Sequence, residues 1–237
     1  MKVVVDNSVV DERYLSSWGL SVYLELYMDG GRVYRLLFDL DTDYNVLMHN
    51  MSVAGLKLGL IDSIFISHWH SDHAGPLSLV LGELTRPVKV FVPSKPGFWS
   101  LRKWREWFVE CSSGRRVVDG VYSTGSLGYG LKEHALVVDI NGRGLVVVGC
   151  SHPGVSKLLE KAIDVARINR VALIIGGFHL MSYSEGVDEA ERIKSLGVVV
   201  EKIAPIHCTS IEAVEGIRSV FGEKVIRAGS GYTIAVS

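Results

Sequence analysis

The run His68-Trp69-His70-Ser71-Asp72-His73 constrains this chain more than any other feature. Three of the eight histidines and one aspartate fall within six positions. The apolar Ile64-Phe65-Ile66-Ser67 before them reads as a buried strand, and Ala74-Gly75-Pro76-Leu77 leads into a helix. The cluster therefore occupies a strand-to-helix loop at a sheet edge, where side chains converge on one point. Two histidines spaced by two leave a strand on the same side, and Asp72 with His73 arrive from the next turn. Imidazole and carboxylate are ligands suited to Zn²⁺, Fe²⁺ or Mn²⁺.

The rest of the chain supplies an α/β frame for that loop. Residues 20–27 and 32–38 read as strands flanking the turn Asp29-Gly30-Gly31. Further strands are expected at 64–67, 88–92, 135–140, 145–149, 171–175, 198–203 and 232–236. Asn141-Gly142-Arg143-Gly144 marks a second hairpin turn. Helical periodicity appears at 45–53, 76–81, 98–111, 155–166, 187–196 and 211–221. Hairpins early and β–α alternation later predict two mixed sheets covered by helices, a four-layer αββα sandwich. No linker or low-complexity tract divides the sequence, so one domain over residues 1–237 is expected.

Composition narrows the function classes. With 25 Lys plus Arg against 26 Asp plus Glu, the net charge is −1. No long-range field draws a polyanion, so nucleic acid is not an expected partner. Apolar runs are far short of the roughly 20 residues that span a bilayer, which argues against a membrane partner. Three cysteines, Cys111, Cys150 and Cys208, make no disulfide framework, and a reducing cytoplasm is expected. A small-molecule substrate is the expected partner.

His-x-His-x-Asp-His after an apolar strand resembles the signature of the metallo-β-lactamase-fold hydrolases. Leu36-Leu37-Phe38-Asp39 is similar to that superfamily's early strand ending in an aspartate. Four further stretches resemble one branch, dihydropterin-methyl-ribofuranosylaminobenzene-phosphate synthase. They are Val147-Val148-Gly149-Cys150-Ser151-His152-Pro153-Gly154, Ile175-Gly176-Gly177-Phe178-His179-Leu180, Pro205-Ile206-His207-Cys208-Thr209 and Gly19-Leu20-Ser21. Asp6-Asn7 near the start is similar to that branch as well.

The resemblance implies a binuclear site for two divalent cations, zinc first, with iron or manganese as alternatives. His68, His70 and His152 would hold the first, and Asp72, His73 and His207 the second. Asp39 would back a ligating imidazole, although Asp39-Leu40-Asp41 replaces the usual Asp-Thr-Gly and leaves Asp41 as a competitor. Cys150 stands where well-known members place a bridging aspartate, so the second site is expected to bind more weakly. His179 is assigned to substrate contact or proton transfer, and Asp72 to orienting the nucleophile. His49 and His134 read as surface or packing residues, with His134 in reserve for His152.

The function implied is a metal-dependent hydrolase, whose metal-bound hydroxide attacks an ester, lactone or phosphoester of a small metabolite. Two alternatives stand beside it. One is a pterin-linked synthase of the methanopterin type. The other is a non-catalytic di-iron or metal-sensing module. The segment 98–108, with Trp99, Trp104 and Trp107, reads as core packing or as an aromatic wall of the site. Lys95, Arg102, Lys103 and Arg105 read as a solvated face or as a contact for a substrate phosphate.

Overall fold

The computed structural model describes residues 1–236. They form two compact units, one of residues 1–112 with 229–235, the other beginning at residue 113.

The first unit is built on a six-stranded sheet. In chain order its elements are β1 (Lys2–Val5), β2 (Ser21–Tyr27), β3 (Val33–Phe38), α1 (Tyr44–Val53), β4 (Ser63–Phe65), α2 (Ser71–Ala74), α3 (Leu77–Glu83), β5 (Lys89–Val92) and β6 (Phe108–Glu110). The strands lie in the order β1-β2-β3-β4-β5-β6. The first three pair antiparallel and the rest parallel, so the sheet is mixed. Asp29-Gly30-Gly31 turns β2 into β3, with Gly30 and Gly31 both at φ 77°, a region glycine enters without steric cost. Helix α1 begins at Tyr44 because the Asp43 carboxylate accepts from the amides of Asn45 and Val46. Leu37, Leu47, Met51, Ile64, Val80, Val90 and Trp104 meet in its core.

The second unit carries a seven-stranded mixed sheet. Its elements are β7 (Arg115–Val118), β8 (Val121–Ser123), β9 (Leu136–Ile140), β10 (Arg143–Val148), α4 (Val155–Ala166), β11 (Arg170–Gly177), α5 (Tyr183–Ser195), β12 (Val199–Val200), β13 (Ile203–Ile206) and α6 (Ile211–Phe221). Strands β7 to β10 run antiparallel, while β11 is parallel to β10, β12 and β13. Helix α4 buries Val155, Leu158, Leu159, Ala162 and Ala166, the spacing of one helical face. Both sheets are thus mixed and accompanied by helices, as the sequence predicts. Among the described residues no helix is long and apolar enough to cross a membrane.

Four expectations are corrected. The predicted helix over 98–111 is a 3₁₀ segment, Trp99–Trp107, followed by strand β6. Leu101 and Trp104 are buried three apart, the period of a 3₁₀ turn, and pairing with β5 then draws residues 108–110 into the sheet. The helix expected from residue 187 starts at Tyr183, because Ser182 and Glu185 form a reciprocal capping box. The strand expected over 198–203 is broken at Glu201-Lys202 and resumes as β13, ending at Ile206. No regular strand spans 232–236: Thr233 makes an isolated bridge to Lys2, with Val3 and Ile234 amides bonding to Tyr232 and Met1 carbonyls.

Candidate metal centre

Candidate ligands leave the C-terminal ends of parallel neighbours, the end at which open α/β sheets bind ligands. In the first unit, β3 runs into Asp39 and the adjacent β4 runs into Ser67-His68. In the second, β10, β11 and β13 are successive neighbours and deliver Cys150-Ser151-His152, His179 and His207-Cys208. Strand adjacency is what gathers residues distant in sequence.

Within the first unit the histidine rings crowd together. His68 lies with its ring centroid 4.7 Å from that of His70 and 4.1 Å from that of His73. His73 Nε2 is 3.6 Å from the Asp72 carboxylate. Asp39 organises the group from behind. Its fully buried carboxylate accepts from the Ser67 amide at 2.7 Å and the Ser67 hydroxyl at 2.6 Å, and it meets His73 Nδ1 at 2.7 Å. His73 is thereby held with Nε2 on the opposite edge of the ring. Of the pair Asp39 and Asp41, Asp39 meets the His73 ring. Asp41 is buried under Gly19, where a Cβ would stand 2.0 Å from its carboxylate oxygen and 2.9 Å from the Asp72 carbonyl oxygen. Burial pushes the Asp41 carboxyl above the usual range, against the Thr42 amide and the Ser17 hydroxyl.

Within the second unit, Cys150 is the hub. Its sulfur lies within 4.8 Å of the ligand atom of His152, and likewise of that of His207. Cys150, His179 and Cys208 form a further group within the same span. His179 is exposed and its ring centroid is 4.7 Å from that of His152. The Cys208 thiol is drawn down to about 6, chiefly by its hydrogen bond to Cys150, with His207 and His179 adding to the effect against burial. Glycine makes the packing feasible. A Cβ on Gly177 would stand 2.6 Å from both Cys208 Sγ and the Gly149 carbonyl oxygen.

The residue that sequence reasoning missed is Glu133. It is fully buried and accepts from the amides of Cys150, Ser151 and His152 at 2.9, 2.7 and 2.8 Å. Its carboxylate also meets His152 Nδ1 at 2.8 Å. One side chain thus fixes the whole loop after β10 and the orientation of His152. Its neighbour His134 is fully buried, with its Nδ1 2.8 Å from the Ser123 hydroxyl. His49 is exposed, with Nε2 3.3 Å from the Arg13 carbonyl.

Backbone strain marks the same places. Asp39, Asp41, Ser151, His179 and His207 all have φ between 51° and 69°, a costly region for residues with side chains. The same conformation occurs at Asn141, in the turn between β9 and β10, and at Arg167, the C-cap of α4.

No family model matches the chain. The 7,8-dihydropterin-6-methyl-4-(beta-D-ribofuranosyl)-aminobenzene-5'-phosphate synthase of Methanocaldococcus jannaschii is 28% identical, over 93% of this chain and 90% of its own. An uncharacterized protein of the same archaeon is 22% identical, over 90% of this chain and 92% of its own. Among solved structures, a metal-dependent hydrolase of the β-lactamase superfamily superposes with a TM-score of 0.73 at 23% identity, over 100% of this chain and 98% of that one. Human tRNase Z, short form, gives a TM-score of 0.62 at 14% identity with the same coverage. The resemblance read from the motifs is met: the structural neighbours are metallo-β-lactamase-superfamily proteins, and the pterin-linked synthase is a relative in sequence.

Proposed function

Taking the metallo-β-lactamase fold of this chain as the premise, we propose that it is a metal-dependent enzyme acting on a small metabolite. In this reading His68, His70 and His152 hold one divalent cation, and Asp72, His73 and His207 hold another, zinc before iron or manganese. The observation that carries it is a pair of buried carboxylates, Asp39 against His73 Nδ1 and Glu133 against His152 Nδ1. Ligating imidazoles are backed in this manner, which fixes the tautomer and aims the other nitrogen. The donor set therefore fits the group.

When bound, the cations supply Lewis acidity toward an oxygen-bearing substrate group. The chain's own residues do the rest. Asp72, partly exposed beside His73, accepts a hydrogen bond from the attacking nucleophile and orients it. His179, exposed beside His152, donates a proton to the departing group. Cys150, its sulfur within 4.8 Å of a ligand atom of His152 and of one of His207, offers a compact thiol or thiolate beside both.

Such a set suits hydrolysis of an ester, lactone or phosphoester. A synthase reading is favoured by the 28% identical relative, named as a pterin-linked synthase. A panel of esters, lactones and phosphodiesters, run beside a condensation assay with a dihydropterin and an aminobenzene ribosyl phosphate, separates the two. Whichever reaction is found, His179→Ala lowers kcat by about 10²- to 10⁴-fold with metal content unchanged. Metal-replete protein with neither activity contradicts the reading, as does unaltered turnover in His179→Ala.

A further inference from the structure

The second unit holds three donors outside the six assigned to the proposed centre. Cys150 follows β10, His179 follows β11 and Cys208 follows β13, and β11 is hydrogen-bonded to both of the other strands. The two sulfurs and a ring nitrogen of His179 all lie within 4.8 Å of one another. An ion held by two sulfurs at about 2.3 Å and one imidazole nitrogen at about 2.0 Å spaces its donors roughly 3.5–4 Å apart. The trio therefore stands close to the spacing that one ion requires.

The backbone fixes both sulfurs. The Cys150 amide donates to the Glu133 carboxylate at 2.9 Å, and the Cys208 thiol donates to the Cys150 carbonyl at 3.8 Å. A Cβ on Gly177 would stand 2.6 Å from Cys208 Sγ, so glycine at the end of β11 leaves the sulfur its place. Cys150 and Cys208 are buried and no disulfide joins them, whereas His179 is exposed. The group thus has a dry floor of sulfur and one face open to an arriving ion. The remaining cysteine, Cys111, belongs to the first unit, its thiol toward the Val109 carbonyl at 3.6 Å.

Donor softness selects the occupant. Imidazole with carboxylate suits zinc, iron or manganese, the donor chemistry of the six ligands already assigned. Thiolate selects softer cations, and the trio contains two thiols and no carboxylate. Two sulfurs and one nitrogen complete the shell of a three-coordinate monovalent copper ion, whereas a structural zinc site calls for a fourth protein ligand.

We propose that Cys150, Cys208 and His179 form a separate site for a thiophilic cation, monovalent copper. On binding, both thiols release their protons to solvent, one ring nitrogen of His179 becomes a ligand, and the copper keeps its oxidation state. The site goes beyond the proposed function, since none of its three donors belongs to the six-ligand set. Its occupancy withdraws His179 from proton donation.

Anaerobic titration of reduced, zinc-treated full-length protein with Cu(I), against a colorimetric Cu(I) chelator, tests the proposal. One equivalent of copper is expected to bind with zinc content unchanged, and copper-edge X-ray absorption is expected to show two sulfur ligands. Cys150→Ser and Cys208→Ser are each expected to weaken binding by at least about 100-fold, the upper end of what loss of a supporting residue alone costs. Cys111→Ser is expected to leave it within about twofold. Copper that enters only by expelling an equal amount of zinc overturns the site, as does an affinity unchanged in Cys208→Ser. A copper edge showing fewer than two sulfurs overturns it even where a variant fails to fold. Copper bound through both cysteines in protein that takes up no zinc supports the site and removes the divalent-metal reading.

Discussion

Asp39 and Glu133 play one role from unrelated sequence contexts: each is a buried carboxylate on the Nδ1 edge of a candidate ligand. Replacing either by its amide puts an NH₂ donor where only acceptors fit. Glu133→Gln would turn that donor toward the His152 amide or ring. Asp39→Asn and Glu133→Gln are each expected to weaken metal affinity about 10- to 100-fold, measured by chelator competition. Equal affinity in wild type and both variants contradicts the positioning role. Asp39 was legible because it ends an apolar strand in a motif. Glu133 was not, since its partners lie 17 to 19 residues along the chain and no local pattern connects them.

Asp41 gives a pH signature at the same scale. Its folded-state pKa is raised above the ordinary 3.8, with burial the main cause. The folded protein therefore holds this proton more tightly than the unfolded chain does. The stabilising contribution is complete below about 3.8 and is lost as pH rises through the folded value. Asp41→Asn should flatten that part of the stability curve, as measured by denaturant unfolding at stepped pH. Parallel curves for wild type and variant would show that Asp41 is not strained by burial.

At the scale of elements, the site depends on how closely β10, β11 and β13 approach. Gly176, at φ 139°, would place a Cβ 2.0 Å from the Val148 carbonyl oxygen. Gly177 has Cys208 Sγ and Gly149 O at 2.6 Å. Backbone cannot give way as a flexible side chain can, so Gly176→Ala should cost at least about 2 kcal/mol. Urea unfolding checks this, and an unchanged midpoint contradicts the close approach. Leu158→Ala, on the buried face of α4, should cost about 2–5 kcal/mol by leaving a cavity, seen as a lowered unfolding midpoint.

Elements with a clean period were legible: β2, β3, α4 and α6 lie where alternation or helical spacing puts them. The misread ones were decided by partners the local pattern does not name. Residues 108–110 joined β5 as a strand despite helical spacing upstream. The strand expected over 198–203 split, because β11 offers register first to Val199–Val200 and again from Ile203. That second piece carries His207 to the end of the sheet.

For the whole molecule, the early hairpins, the later β–α alternation and the resemblance carried by the six-residue histidine cluster made the fold readable before any coordinate. The reaction was less readable. The exposure of Phe98 and Trp99, for one, is revealed by no composition or spacing. The proposed first site takes His68, His70 and His152 together, so mutation of any one of them should remove the same ion.

Elemental analysis of anaerobically purified protein tests this most directly, comparing wild type with His68→Ala, His152→Ala and the double variant. The account predicts metal in the wild type, the same reduction in each single variant, and no further reduction in the double. Independent, additive losses, or a wild type that carries no metal at all, would contradict it.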